Sequence, residues 1–189
     1  ALHAAVGGGA EVCLIPEIPY DLQKVKARLE QRYARGKGHA IIVIAEGAKP
    51  KGGEVTSEKS EEIGYENLRL GGVAHKLVHD LKAIGFESDM RETVLGHLQR
   101  GGVPVAYDRV LATQFGVKAF EMVLEGRFGE MVSYRHPNII SVPLVEAVMQ
   151  PNLVDPDCYL VKTARGIGIS FGAVSYTHLR AHETRHDLV

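Results

Sequence analysis

The residues best suited to chemistry lie between Arg91 and Gly102. There Thr93, Val94, Leu95, Gly96, His97, Leu98, Gln99, Arg100, Gly101 and Gly102 run consecutively. Arginine presents a planar fork of donors that matches phosphate oxygens, and histidine adds a donor that turns cationic near neutral pH. Glycine lets the backbone turn and come close to a ligand. His97 and Arg100, three apart and flanked by Gly96 and the Gly101–Gly102 pair, therefore suit a loop that wraps an anion, with Arg91 as a further cation. The same residues also suit a plainer role, capping nearby carbonyls and pairing with surface acids, and the residue types alone leave both readings open. A second candidate is Glu46, a carboxylate closing the apolar run His39–Glu46. Carboxylate oxygens accept from hydroxyls, and the carboxyl ends of strands are where open α/β sheets place ligands.

These side chains need elements to hold them. Ala1 to Val6 reads as the end of a helix stopped by Gly7, Gly8 and Gly9. The short apolar run Glu11 to Ile15, ended by Pro16, reads as a parallel strand buried on both faces. Asp21 is placed to cap a helix with Leu22, Val25, Leu29 and Tyr33 at helical spacing, and Gly36 and Gly38 end it. His39 to Glu46 reads as the clearest strand. Gly47 to Tyr65 is polar and reads as a long surface loop. Val73, Leu77, Leu81 and Ile84 mark another amphipathic helix, and Arg91 to Leu95 a third strand. Ala106 to Leu124 is the longest helical pattern, with Val110, Leu111, Val117, Phe120 and Leu124 available for burial. Ile139 to Pro143 reads as extended, with a short helix over Val145 to Met149. Strand alternating with helix implies an α/β fold with a parallel sheet flanked by helices.

Composition narrows the function classes. The 189 residues, 45% hydrophobic, are enough for one core or two small ones. With 22 Lys and Arg against 23 Asp and Glu the net charge is −1, so no global field recruits nucleic acid or an anionic membrane. No apolar run approaches the length of a membrane span, and the expected location is cytoplasmic. Cys13 and Cys158 sit among apolar neighbours and read as buried thiols of a reducing compartment. His178, His182 and His186 recur every fourth residue, which on a helix would align three imidazoles as in a metal site. That reading is set aside, because Ala173 to Val189 resembles a translated sequencing-adapter sequence and is taken as a non-native tail.

The string from Arg91 through Gly101, Gly102, Val103, Pro104, Val105, Ala106, Tyr107, Asp108 and Arg109 is similar to the signature of bacterial-type phosphofructokinases. The resemblance extends back through Gly8–Glu11, Ile15–Glu17, Gly36–His39 and Ile44–Glu46, and covers about Ala1 to Gly172. It implies the C-terminal half of a two-lobe enzyme that phosphorylates the 1-hydroxyl of fructose 6-phosphate in glycolysis. Residues 1–99 would belong to the substrate lobe, 100–147 to a segment of the donor lobe, and 148–172 to a return to the substrate lobe. Glu46 would accept from sugar hydroxyls, His97 and Arg100 would hold the substrate, and Arg91 would reach the 6-phosphate across a subunit interface. The resemblance further implies a homo-oligomer, a homotetramer in the family, with Mg²⁺ and with ATP or pyrophosphate as donor. The catalytic base and donor loops would lie outside these residues. Glu11, Arg35, Lys37 and His39 fall where allosteric members bind an effector, with Arg35 in place of the usual lysine. The competing reading is a non-catalytic phosphosugar- or nucleotide-binding regulatory module.

Overall fold

The computed structural model describes residues 1–53, 72–96, 98–99, 101–149 and 152–173. It resolves into two units, residues 1–94 with 154–189, and residues 95–153.

The first unit is built around one short strand. Helix α1 (Leu2–Gly8) ends where Gly9 adopts a left-handed conformation at φ 65°, as the glycine run predicts. Strand β1 (Val12–Leu14) follows and is wholly buried. Helix α2 (Leu22–Ala34) starts at Asp21, whose carboxylate accepts from the Gln23 amide at 2.9 Å. Strand β2 (Ile42–Ile44) lies parallel to β1, with Val12 opposite Ile42 and Leu14 opposite Ile44. Helix α3 (Gly72–Ala83) buries Val73, Leu77 and Leu81, the stripe read from the sequence.

Alternation along β1 sorts its side chains to two faces. Cys13 and Ile15 join Leu2 and Ala5 of α1 with Val161, Ala164, Ile169 and Phe171 from the end of the chain. Val12 and Leu14 join Val25 and Leu29 of α2 and Leu77 and Leu81 of α3. This is the two-sided burial that an unbroken apolar run implies.

The third strand expected at Arg91 to Leu95 is not formed: these residues are irregular and exposed. The place beside β1 is taken by Ser170 instead. The Cys13 amide donates to the Ser170 carbonyl at 2.8 Å, and the Ser170 amide to the Glu11 carbonyl at 2.9 Å. The physical reason is burial. Ile169 and Phe171 flank Ser170 and enter the core, whereas Val94 and Leu95 remain exposed. Helix α6 (Tyr159–Gly166), which the sequence pattern did not reveal, delivers that segment.

In the second unit, helix α4 (Ala106–Leu124) has the bounds its pattern suggests, and the Asp108 carboxylate accepts from the Val105 amide at 3.1 Å. Strands β3 (Glu130–Arg135) and β4 (Asn138–Pro143) form an antiparallel hairpin, followed by α5 (Leu144–Met149). The burial expected along α4 is not found. Val110, Val117, Phe120 and Leu124 are exposed, and Met122 is the one buried side chain of the helix. Within its own unit α4 packs chiefly on the narrow hairpin, too little surface to cover a 19-residue helix. Both cysteines are free; Cys13 is buried and Cys158 half-buried against the same apolar cluster.

Candidate functional site

Two glutamates stand at the carboxyl end of the parallel pair. After β1 the chain turns at once, with the Ile18 amide donating to the Ile15 carbonyl at 3.2 Å, and the turn carries Glu17. After β2 it turns again, with the Ala48 amide donating to the Ala45 carbonyl at 2.9 Å, and that turn carries Glu46. The two turns abut. A Cβ on Gly47 would lie 3.0 Å from Cγ of Pro16, so glycine is what lets them approach so closely.

Glu46 keeps one oxygen, Oε1, buried and without a hydrogen-bond partner among the described residues. Glu17 likewise leaves Oε2 buried and unmatched, while its Oε1 accepts from the Val154 amide at 2.9 Å. A buried polar atom left unmatched costs about 1–3 kcal/mol, and more when charged. The sequence pointed to Glu46 but missed Glu17, although its place directly after Ile15–Pro16 at a strand end was a usable signal.

At the opposite end of the strands the carboxylate of Glu11 is fully engaged. Its Oε1 pairs with Nη1 of Arg32 at 2.8 Å, and its Oε2 accepts from the Ile41 amide at 2.6 Å. Arg32 also donates through Nε to the His39 carbonyl at 3.0 Å, so one guanidinium ties α2, β1 and the approach to β2 together. Arg35, Lys37 and His39 are exposed along that approach. Arg91 is 91% exposed, and among the described residues its ion pair is a long one, 3.6 Å to Asp89. His97 and Arg100 lie outside the described residues, as do 54–71 and the three tail histidines. Among the described residues there is no group of three or more His, Cys, Asp or Glu placed to hold a metal ion.

Burial perturbs two groups beside β1. It pushes the Cys13 thiol above its ordinary range, and it does the same to the Tyr20 phenol, helped by the charge of Asp80.

A helix-flanked parallel pair with carboxylates at its carboxyl end defines an α/β protein of the kind that binds polar ligands at strand ends. The chain belongs to the phosphofructokinase family, whose model matches residues 1–123. It is 44% identical over 171 residues to ATP-dependent 6-phosphofructokinase 2 of Clostridium perfringens, covering 90% of this chain and 47% of that protein. It is 45% identical over 172 residues to the ATP-dependent 6-phosphofructokinase of Chloroflexus aggregans, covering 91% and 46%. The chain thus spans about half the length of the curated relatives it matches. Among solved structures it is similar to phosphofructokinase from Saccharomyces cerevisiae, with a TM-score of 0.54 and 28% identity over 88% of this chain and 20% of that one. The T-state phosphofructokinase of Pichia pastoris gives 0.53 and 29%, over 88% and 16%.

Proposed function

We propose that this chain is the sugar-phosphate-binding half of a 6-phosphofructokinase that transfers a phosphoryl group to the 1-hydroxyl of fructose 6-phosphate, giving fructose 1,6-bisphosphate. The observation that carries this reading is Glu46, a strand-end carboxylate with a buried unmatched oxygen, in a chain of this family. That oxygen suits a sugar hydroxyl, which donates to it without adding charge. His97 and Arg100 hold the substrate from the same chain, the arginine as a cationic donor. Arg91, exposed and weakly paired in its own chain, serves the site of a neighbouring copy in a homo-oligomer. Division of labour follows from chemistry, since carboxylates read hydroxyls and cations read the phosphate dianion.

The curated relatives are named for ATP, and ATP is the donor proposed for the complete protein rather than pyrophosphate. The donor loops, the Mg²⁺ ligands and the group that takes the proton of the attacking hydroxyl belong to the remaining length. The residues of this chain bind and orient the acceptor. An effector at the other strand end would meet Arg35, Lys37 and His39, beside a Glu11 already engaged by Arg32 and the Ile41 amide.

Titration of the chain with fructose 6-phosphate, followed by calorimetry, tests the reading. Saturable binding is expected, and Arg100→Ala should weaken it by about 1.5–3 kcal/mol through loss of a charge-assisted contact. Unchanged affinity in that variant would remove Arg100 from the site.

A further inference from the structure

Three buried polar atoms lack a partner among the described residues, Glu17 Oε2, Glu46 Oε1 and Arg28 Nε. The arginine is matched elsewhere on its guanidinium, through Gln31 and the Gly168 carbonyl. The other two are both carboxylate oxygens, and both sit on the abutting turns after β1 and β2. Folded chains match nearly all their buried polar atoms, so two unmatched acceptors at one ligand-binding strand end call for a common explanation.

We infer that Glu17 is a second acceptor for the sugar hydroxyls, working beside Glu46. The inference rests on the sugar-phosphate reading of Glu46. The missing partners of both oxygens are donors, and a polyol supplies several neutral donors on adjacent carbons, enough to satisfy two neighbouring carboxylates at once. Glu17 is also held ready for this task. Its Oε1 is fixed by the Val154 amide, so Oε2 is aimed without further loss of side-chain freedom. The same bond fastens the start of the returning segment, residues 154–173, to the site, so a ligand bridging Glu17 and Glu46 also braces that segment.

The test uses the whole 189-residue chain and the variants Glu17→Gln and Glu46→Gln. Glutamine keeps a carbonyl oxygen for the Val154 amide but turns the second position from acceptor into donor. Glu17→Gln is therefore expected to keep its Tm and to lose about tenfold in fructose 6-phosphate affinity. Competition by inorganic phosphate should be unchanged, because the carboxylates do not read the phosphate. Affinity equal to wild type in Glu17→Gln, alongside a clear loss in Glu46→Gln, would overturn the role of Glu17 and leave the sugar site standing. No loss in Glu46→Gln, or no sugar binding by the unsubstituted chain, would overturn both. Mg²⁺ binding that both variants abolish, with sugar affinity unmoved, would mean that the pair is a cation site and would also overturn the inference.

Discussion

At the scale of single residues, Arg32 and Cys13 show how burial sets behaviour. Arg32 neutralises a Glu11 that is only 5% exposed, so Arg32→Met leaves a buried carboxylate without its counter-charge. Removing one partner of such a pair is costly, and the variant should lose about 3 kcal/mol of unfolding free energy in urea titrations. Cys13 is buried and its thiol is pushed up, whereas Cys158 is half-buried; timed alkylation followed by mass analysis should label Cys158 well before Cys13. The sign of the pH effect follows. The folded values of Cys13 and Tyr20 lie above their ordinary values of 9.0 and 10.0, so their contribution is complete below about pH 9. It is lost as pH rises through the folded values, because the unfolded chain releases these protons first. Thermal melts between about pH 8 and 11 should show the Tm falling on the alkaline side.

At the scale of elements, caps and close approaches decide what the helices and turns tolerate. Asp21→Ala removes the acceptor at the start of α2 and should cost about 1 kcal/mol, read by denaturant melts. Two glycines with the same left-handed φ of 65° should part company. A Cβ at Gly9 meets nothing within 4 Å, so Gly9→Ala costs about 1 kcal/mol of backbone strain. A Cβ at Gly172 would lie 2.8 Å from Tyr20 Cβ and 3.0 Å from Val25 Cγ2. Gly172→Ala should therefore cost about 3 kcal/mol, strain and overpacking together. Equal melting temperatures for the two variants would refute the crowding at Gly172. The helices themselves were legible in the sequence, because Asp21, the Gly7–Gly9 run and the spacing of Val73, Leu77 and Leu81 are local signals. Strand β3 and helix α6 carry no such signal, and the strand expected at Arg91 to Leu95 finds no neighbour to pair with among the described residues.

At the scale of the molecule, the two units differ in how their apolar residues are used. Leu81 is fully buried in the first unit, and Leu81→Ala should cost about 2–5 kcal/mol. Phe120 on α4 is 64% exposed, and Phe120→Ser should change stability by no more than about 0.5 kcal/mol. Differential scanning calorimetry on both variants checks the contrast. A large loss at Phe120 would show that its face is covered in solution. Exposed apolar residues continue into α5 with Leu144, Val145, Val148 and Met149, in a chain that spans about half the length of its relatives.

The sequence alone determined the class, the family signature from Arg91 to Arg109, the positions of α2, α3 and α4, and the place of Glu46 at a strand end. Those features are local: a cap, a period or a strand end is written in neighbouring residues. Tertiary structure decided that Ser170 rather than Arg91–Leu95 pairs with β1, that Glu11 is engaged by Arg32, and that Glu17, on a turn that abuts the turn of Glu46, keeps an unmatched oxygen. The physical reason is that a backbone amide or a carboxylate carries no local mark of its distant partner. Which groups meet is settled only when Ile169, Phe171 and the two faces of β1 are buried together.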